Sequence, residues 1–283
     1  MTTWDEPKET QGDGWSQGSV SYEKYLVPVT RKGAEALIEE MIKMNPITSE
    51  SNILDCGTGP GLVPIILRQL YPSVPITAVD IAPGMIERIK RLDLPGVKLG
   101  LSDATNLDRA VVPKDAFTHA IGALMIQFCG DKQPSVVHEF YDSLVPGGVA
   151  GHLLTTGITI ADPWHRACER LDPAYQRVYV HDDKAWKSFE PLEAAYRDVG
   201  FEDIRKVKLW MPMSTIQSKE DYIDFWFRGH HPAFEKRDMA AWKGDPEEVI
   251  PELLKVLGEY KDLSSELGAY AEIVLGRKPK LGS

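Results

Sequence analysis

Three glycines within five residues, flanked by two aspartates, are the side-chain and backbone chemistry around which this sequence is organised. Asp55, Gly57, Thr58, Gly59 and Gly61 follow the apolar stretch Asn52 to Leu54, and Asp80 closes the apolar run Val74 to Val79. Glycines at this spacing let the backbone turn tightly and approach a ligand closely. A pyrophosphate fingerprint needs Gly-x-Gly-x-x-Gly, and the position of its third glycine is Leu62. A carboxylate at Asp55 would also repel a phosphate and suits an ammonium group. Asp80 stands where an acidic residue grips both ribose hydroxyls in nucleotide-binding α/β folds.

The elements that position these groups follow from periodicity. Apolar residues Ala34, Leu37, Ile38, Met41 and Ile42 recur at helical spacing from Thr30 and stop before Asn45-Pro46. Strand one, Asn52 to Leu54, feeds the glycine turn. Pro60 suits the first turn of the next helix, whose buried stripe is Leu62, Val63, Ile66, Leu67 and Leu70. Strand two is Val74 to Val79, and a Pro83-Gly84 start opens a helix at Met85 to Leu92. Strand three, Val97 to Leu101, ends in Ser102-Asp103-Ala104; strand four is Ala116 to Gly122. A helix at Gln133 to Leu144 and the turn Pro146-Gly147-Gly148 lead to strand five, Val149 to Thr155. Strands six and seven are expected at Asp203 to Met211 and Tyr270 to Arg277.

Asp55, the three glycines and Asp80, in this order, resemble the class I methyltransferases that use S-adenosylmethionine. The Pro-Gly-Gly turn before strand five strengthens the resemblance, which covers about Thr30 to Lys278. It implies a Rossmann-like, seven-stranded mixed sheet flanked by helices, with strand seven antiparallel. It implies cofactor contacts from Asp55, Gly57, Thr58, Gly59, Gly61 and Asp80, from Ile81 and Met85 beside the adenosine, and from Ser102, Asp103 and Ala104 near the adenine amino group. Ala123 would bring backbone close to the sulfonium. Ordinary core packing is an equal reading for Met85, and a turn cap is the other reading of Asp103. Family members often carry an acid where this chain has Thr118 and His119.

Two stretches exceed what such a sheet needs, and they divide the chain into an arm or lid (1–29), core (30–156), cap insertion (157–187), core (188–213), second cap insertion (214–267) and final strand and tail (268–283). The first insertion holds Trp164, His165, Cys168, Tyr175, Tyr179, His181 and Trp186. The second holds Tyr222, Phe225, Trp226, Phe227, His230, His231, Phe234 and Trp242. Helical, ring-rich insertions beside a site suit a hydrophobic acceptor, although some rings must build the cap's own core. Trp15, Tyr22 and Tyr25 either fold over the cofactor as a lid or staple the arm to the core. The plan is similar to fungal small-molecule methyltransferases of secondary metabolism, including the gliotoxin thiol methyltransferases. Among seven histidines, His165 is the candidate base, with His230 and His231 as alternatives; His119, His138 and His152 read as bystanders.

A net charge of −10 over 283 residues disfavours nucleic acid and anionic membranes as partners. A hydrophobic small molecule is the expected acceptor, at oxygen, sulfur or nitrogen. Cys56, Cys129 and Cys168 give neither a disulfide framework nor a metal-ligand pattern, and no metal is expected. A cytoplasmic monomer or homodimer is expected, with no membrane segment. Two other uses of the fold stay open at this point, cyclisation or rearrangement instead of transfer, and a non-catalytic partner subunit.

Overall fold

Continuous apolar runs of four or five residues make the central strands of a sheet covered on both faces, and the chain folds accordingly. The computed structural model describes residues 22–177, 189–228, 239–280 and 282. A π-helical turn, Tyr22–Leu26, leads into α1 (Val27–Met44), and the first half then alternates β1 (Ile53–Cys56), α2 (Leu62–Leu70), β2 (Ile76–Asp80), α3 (Pro83–Arg91) and β3 (Val97–Leu101). After β4 (Phe117–Ala123) come two 3₁₀ turns, Ile126–Phe128 and Gly130–Lys132, then α4 (Gln133–Ser143) and β5 (Leu144–Ile158). The rest is α5 (Asp162–Leu171), α6 (Phe189–Val199), β6 (Glu202–Pro212), α7 (Lys219–Arg228), α8 (Ile250–Leu257), α9 (Leu263–Glu266) and β7 (Gly268–Arg277).

These strands form one seven-stranded sheet in the order β3-β2-β1-β4-β5-β7-β6. The pairs from β3 through β5 are parallel, whereas β7 runs antiparallel to both β5 and β6. Alternation along the strands assigns residues to two cores. Ile53, Ile121 and Leu153 pack with α1, α2 and the cap, while Leu54, Ala120 and Leu154 pack with Phe140 of α4 and Tyr196 of α6.

The expected element order is present, with four local corrections. Pro60 sits in the turn ahead of α2, because Gly61, at φ 91°, is the residue that caps the helix. Leu70 is 57% exposed, so the buried stripe of α2 ends at Leu67. Helix α3 opens at Pro83, not Met85. The Pro146-Gly147-Gly148 segment lies inside β5, which starts at Leu144. Gly147 N donates to Lys278 O at 2.9 Å and Lys278 N to Gly148 O at 2.8 Å, and the β4–β5 register shifts across this segment, so a stretch that sequence reads as a turn is drawn into the strand.

The two insertions share one ring cluster. Trp164 of α5 lies 5.9 Å from Trp226 of α7, Tyr222 stacks on Trp226 at 5.7 Å, and Phe227 meets Trp164 edge-on at 5.9 Å. Trp164, Tyr222 and Trp226 are at most 2% exposed and belong to the same buried cluster as Leu37 of α1 and Ile53 and Leu153 of the sheet. Tyr25 is pinned to the same cap. Its hydroxyl donates to Asp224, its ring meets Phe225 edge-on at 5.4 Å, and its carbonyl accepts from Thr215 Oγ1 at 2.9 Å.

Candidate functional site

Parallel strands β1, β2 and β4 end together, and the residues that follow them converge at this carboxyl edge of the sheet. Gly57 N and Thr58 N both donate to Val79 O, at 2.9 and 3.0 Å, which folds the glycine turn over the end of β2. Gly57, Gly59 and Gly61 have φ of 69°, 54° and 91°, left-handed conformations that an L side chain pays strain to adopt. At Gly57 an added Cβ would lie 2.5 Å from Met125 Cβ, so the turn is packed against the segment leaving β4. At Gly59 an added Cβ would meet no atom within 4 Å, and the backbone there faces open space.

Asp80 is fixed by backbone. Its Oδ2 accepts from Gly59 N at 2.8 Å and its Oδ1 from Ala82 N at 2.9 Å. Burial raises its pKa, and those amides with the Ile81 N–H pull it back towards the ionised form. A carboxylate has about four acceptor positions, so Asp80 keeps capacity for a further hydroxyl donor. Asp55 differs. It is 1% exposed, and burial pushes its carboxyl up to about 7. The Thr58 hydroxyl lies near enough to lower that value yet outside hydrogen-bond geometry, and the Asp80 charge raises it further. Asp55 Oδ2 and Thr58 Oγ1 are buried without a hydrogen-bond partner.

The other expected positions fall around this edge. Ile81 follows β2 partly buried, and Met85 is 3% exposed. Ser102 Oγ accepts from Asp108 N at 2.9 Å, which closes the loop after β3. Asp103 Oδ1 accepts from Thr105 N and Thr105 Oγ1 at 2.9 and 2.8 Å, so this oxygen caps a turn. Ala104 packs against the adjacent core, and Ala123 ends β4. Tyr25 is engaged with Asp224 as described. Trp15, Tyr179, His181, Trp186, His230, His231 and Phe234 lie outside the described residues, as does the side chain of Tyr22.

The histidines separate by environment. His165 is 4% exposed in α5 with its Nδ1 2.8 Å from the Tyr175 hydroxyl. His119 bridges Thr118 Oγ1 and Asn45 O at 2.8 Å each. His152, with Nδ1 2.6 Å from the Tyr196 hydroxyl, is so buried that its pKa falls to about 3. Among the described residues no group of three metal-ligating side chains occurs. No helix among them is long and apolar enough to cross a membrane.

Two features were missed from sequence. Leu124 takes φ 58° directly after β4, a sparsely populated conformation for a non-glycine residue. Gln127, the lone amide in the run Ala123 to Phe128, is 8% exposed with its Oε1 buried and unpartnered. Its polar side chain within an apolar run was the available signal.

An adenosyl sulfonium amino acid fits these groups. The unpartnered acceptors match an ammonium, Asp80 keeps capacity for a hydroxyl donor, and Gly59 leaves space for close approach. A cavity of about 120 Å³ lined by Asn52, Ile76, Gly96 and Phe117 lies at the opposite, amino edge of the strands and plays no part.

Comparison with known proteins agrees. Residues 53–148 match the family model of a methyltransferase domain. A malonyl-[acyl-carrier protein] O-methyltransferase of Anoxybacillus flavithermus is 27% identical over 154 residues, 54% of this chain and 47% of that protein. The chain thus spans about half the length of the curated relatives it matches. The YcgJ protein of Bacillus subtilis superposes with a TM-score of 0.55 at 17% identity, covering 87% of this chain and 99% of its own. A phosphoethanolamine N-methyltransferase of Haemonchus contortus, solved with phosphomonomethylethanolamine and S-adenosylhomocysteine, gives 0.51 at 14% identity, covering 88% of this chain and 53% of its own. The glycine turn and the aspartates Asp55 and Asp80 lie within the matched residues 53–148, which are similar to a methyltransferase domain, and the seven-stranded fold is shared with both solved structures.

Proposed function

We propose that this chain is a methyltransferase that moves a methyl group from S-adenosylmethionine to oxygen, sulfur or nitrogen of a hydrophobic small molecule. The observation that carries the reading is the acceptor set at the carboxyl edge: Asp80 seated by Gly59 and Ala82, with Asp55 Oδ2 buried and unpartnered beside the turn. Bound there, S-adenosylmethionine supplies an electrophilic methyl group on a sulfonium. The chain's own work is positioning, because an in-line displacement gains most from alignment and exclusion of water. Asp80 would hold the ribose, Asp55 and Thr58 the ammonium, and Ile81, Met85 and the loop Ser102 to Ala104 the adenine end.

The hydrophobic acceptor rests on the cap. Its innermost rings pack on one another, and Tyr175, Phe227 and Trp242 lie partly buried against that cluster. The net charge of −10 agrees with a neutral or cationic small molecule better than with a polyanion. We assign His165 the deprotonation of acceptors that require it, its ring held by Tyr175. Secondary metabolism, a cytoplasmic location and a monomeric or homodimeric state belong to the same reading. Mass spectrometry of a hydrophobic metabolite panel incubated with methyl-labelled S-adenosylmethionine tests it. Label on a panel member supports transfer; cofactor binding with no label on any member replaces it with cyclisation or a partner role.

A further inference from the structure

The turn after β4 carries a polar group that the cofactor assignments above leave unused. Gln127 sits in the 3₁₀ turn Ile126–Phe128, 8% exposed, with Oε1 buried and without a hydrogen-bond partner. An orphaned buried carbonyl oxygen is disfavoured unless a donor arrives. The turn is held rigidly. Ile126 is fully buried in the core, its carbonyl accepts from Gln133 Nε2 at 3.0 Å, and Leu124 N donates to Leu153 O at 2.8 Å.

The turn also abuts the glycine loop. Met125 Cβ lies 2.5 Å from where a Cβ of Gly57 would be, and Gln127 follows two residues later along a 3₁₀ rise of about 4 Å. The glycine loop and the strand before it contribute the other two orphaned acceptors of this edge, Asp55 Oδ2 and Thr58 Oγ1. A primary ammonium has three N–H donors and no acceptor. A carboxylate, a hydroxyl and an amide oxygen together select such a cation over an anion or an apolar group. The remaining buried amide, Gln133, faces the core from α4, and the orphaned His152 Nε2 lies on the far face between Phe140 and Tyr196.

We propose that Gln127 is a further cofactor-binding residue, its amide oxygen accepting one N–H of the α-ammonium group of S-adenosylmethionine beside Asp55 and Thr58. The inference rests on the cofactor reading above and adds a residue to it.

Calorimetric titration of the full chain with S-adenosylhomocysteine and with 5′-methylthioadenosine, which lacks the amino-acid end, tests the assignment. Gln127→Leu should weaken S-adenosylhomocysteine roughly tenfold, the loss of one hydrogen bond to a charged group, and leave 5′-methylthioadenosine within about twofold. Its ligand-free melting temperature should stay the same or rise, since an unpartnered polar atom has been removed. Gln127→Glu should keep or tighten S-adenosylhomocysteine binding. Equal weakening of both ligands, or of neither, overturns the proposal. Normal S-adenosylhomocysteine affinity with lost turnover also overturns it, placing Gln127 against the acceptor instead. If the wild-type chain binds neither ligand, the cofactor reading itself fails and this inference goes with it.

Discussion

Replacing Asp55 with Asn should stabilise the ligand-free protein while weakening its hold on the cofactor. Burial lifts the Asp55 carboxyl from its ordinary 3.8 to about 7. Between those values the folded chain holds a proton that the unfolded chain has released. The free energy of unfolding therefore falls as pH rises through this window, and the full loss is present above about pH 7. A shift of about three units corresponds to roughly 4 kcal/mol as a ceiling. An asparagine places an uncharged group at the same site, with the Thr58 hydroxyl nearby. Denaturant titrations at about pH 5 and about pH 8 should show Asp55→Asn more stable than wild type at the higher pH, with the gap shrinking towards the lower. Calorimetry should show S-adenosylhomocysteine bound roughly 10- to 100-fold more weakly by the variant. In the wild type, a bound cation lowers the Asp55 pKa. Affinity should then be flat above about pH 7 and fall by up to about tenfold per unit below it. A variant less stable than wild type at pH 8, or one with undiminished affinity, would refute the argument that this carboxylate is kept buried for a cation.

Three further substitutions probe other parts of the site. Asp80→Ala removes the acceptor for Gly59 N and Ala82 N together with the expected ribose contacts, and calorimetry should show S-adenosylhomocysteine weakened by roughly 1.5 to 3 kcal/mol. Gly59→Ala, at φ 54°, should cost about 1 to 2 kcal/mol of stability in denaturant titration. Its methyl group projects into space free of protein, so cofactor affinity should fall as well; unchanged affinity would place the ligand elsewhere. His165→Ala should lower the single-turnover rate at saturating acceptor without altering S-adenosylhomocysteine affinity. A normal rate would leave His165 with a packing role alongside Tyr175.

Local signals made the parallel half of the sheet readable from sequence. Strand β3 occupies the expected Val97–Leu101, and α2 begins at Leu62 directly after the glycine turn, because apolar runs and Gly or Pro punctuation are properties of neighbouring residues. Long-range pairing was not readable. The Pro146-Gly147-Gly148 segment has turn composition, yet the contacts from Lys278 and the pairing of Leu144 with Phe117 draw it into β5. Tyr25 offered a lid and a staple as equal readings. Its hydrogen bond to Asp224 of α7, 199 residues away, is a contact that sequence order does not show.

At the site, residue type and order singled out Asp55, the glycines and Asp80 as candidates, and the fold brings them to one edge of the sheet. What type alone could not reveal is which polar atoms lack partners once the chain is folded. Asp80 spends two acceptor positions on backbone, Asp103 Oδ1 is committed to Thr105, and Asp55 and Gln127 keep unpartnered oxygens. The cap rings show the same limit. Trp164 and Trp226 lie 62 residues apart, the same separation as Ile160 and Tyr222, whose hydroxyl donates to the Ile160 carbonyl at 2.7 Å. Only the fold shows that both insertions build one core.

We place S-adenosylmethionine at the carboxyl edge of β1, β2 and β4, held by Asp55, the glycine turn and Asp80. Calorimetric titration of wild type and Asp80→Ala with S-adenosylhomocysteine tests it most directly. Saturable one-to-one binding by wild type, weakened by the substitution while the variant keeps its fold by circular dichroism, is the predicted result. Absence of binding by wild type, or equal affinity in the two proteins, would contradict it.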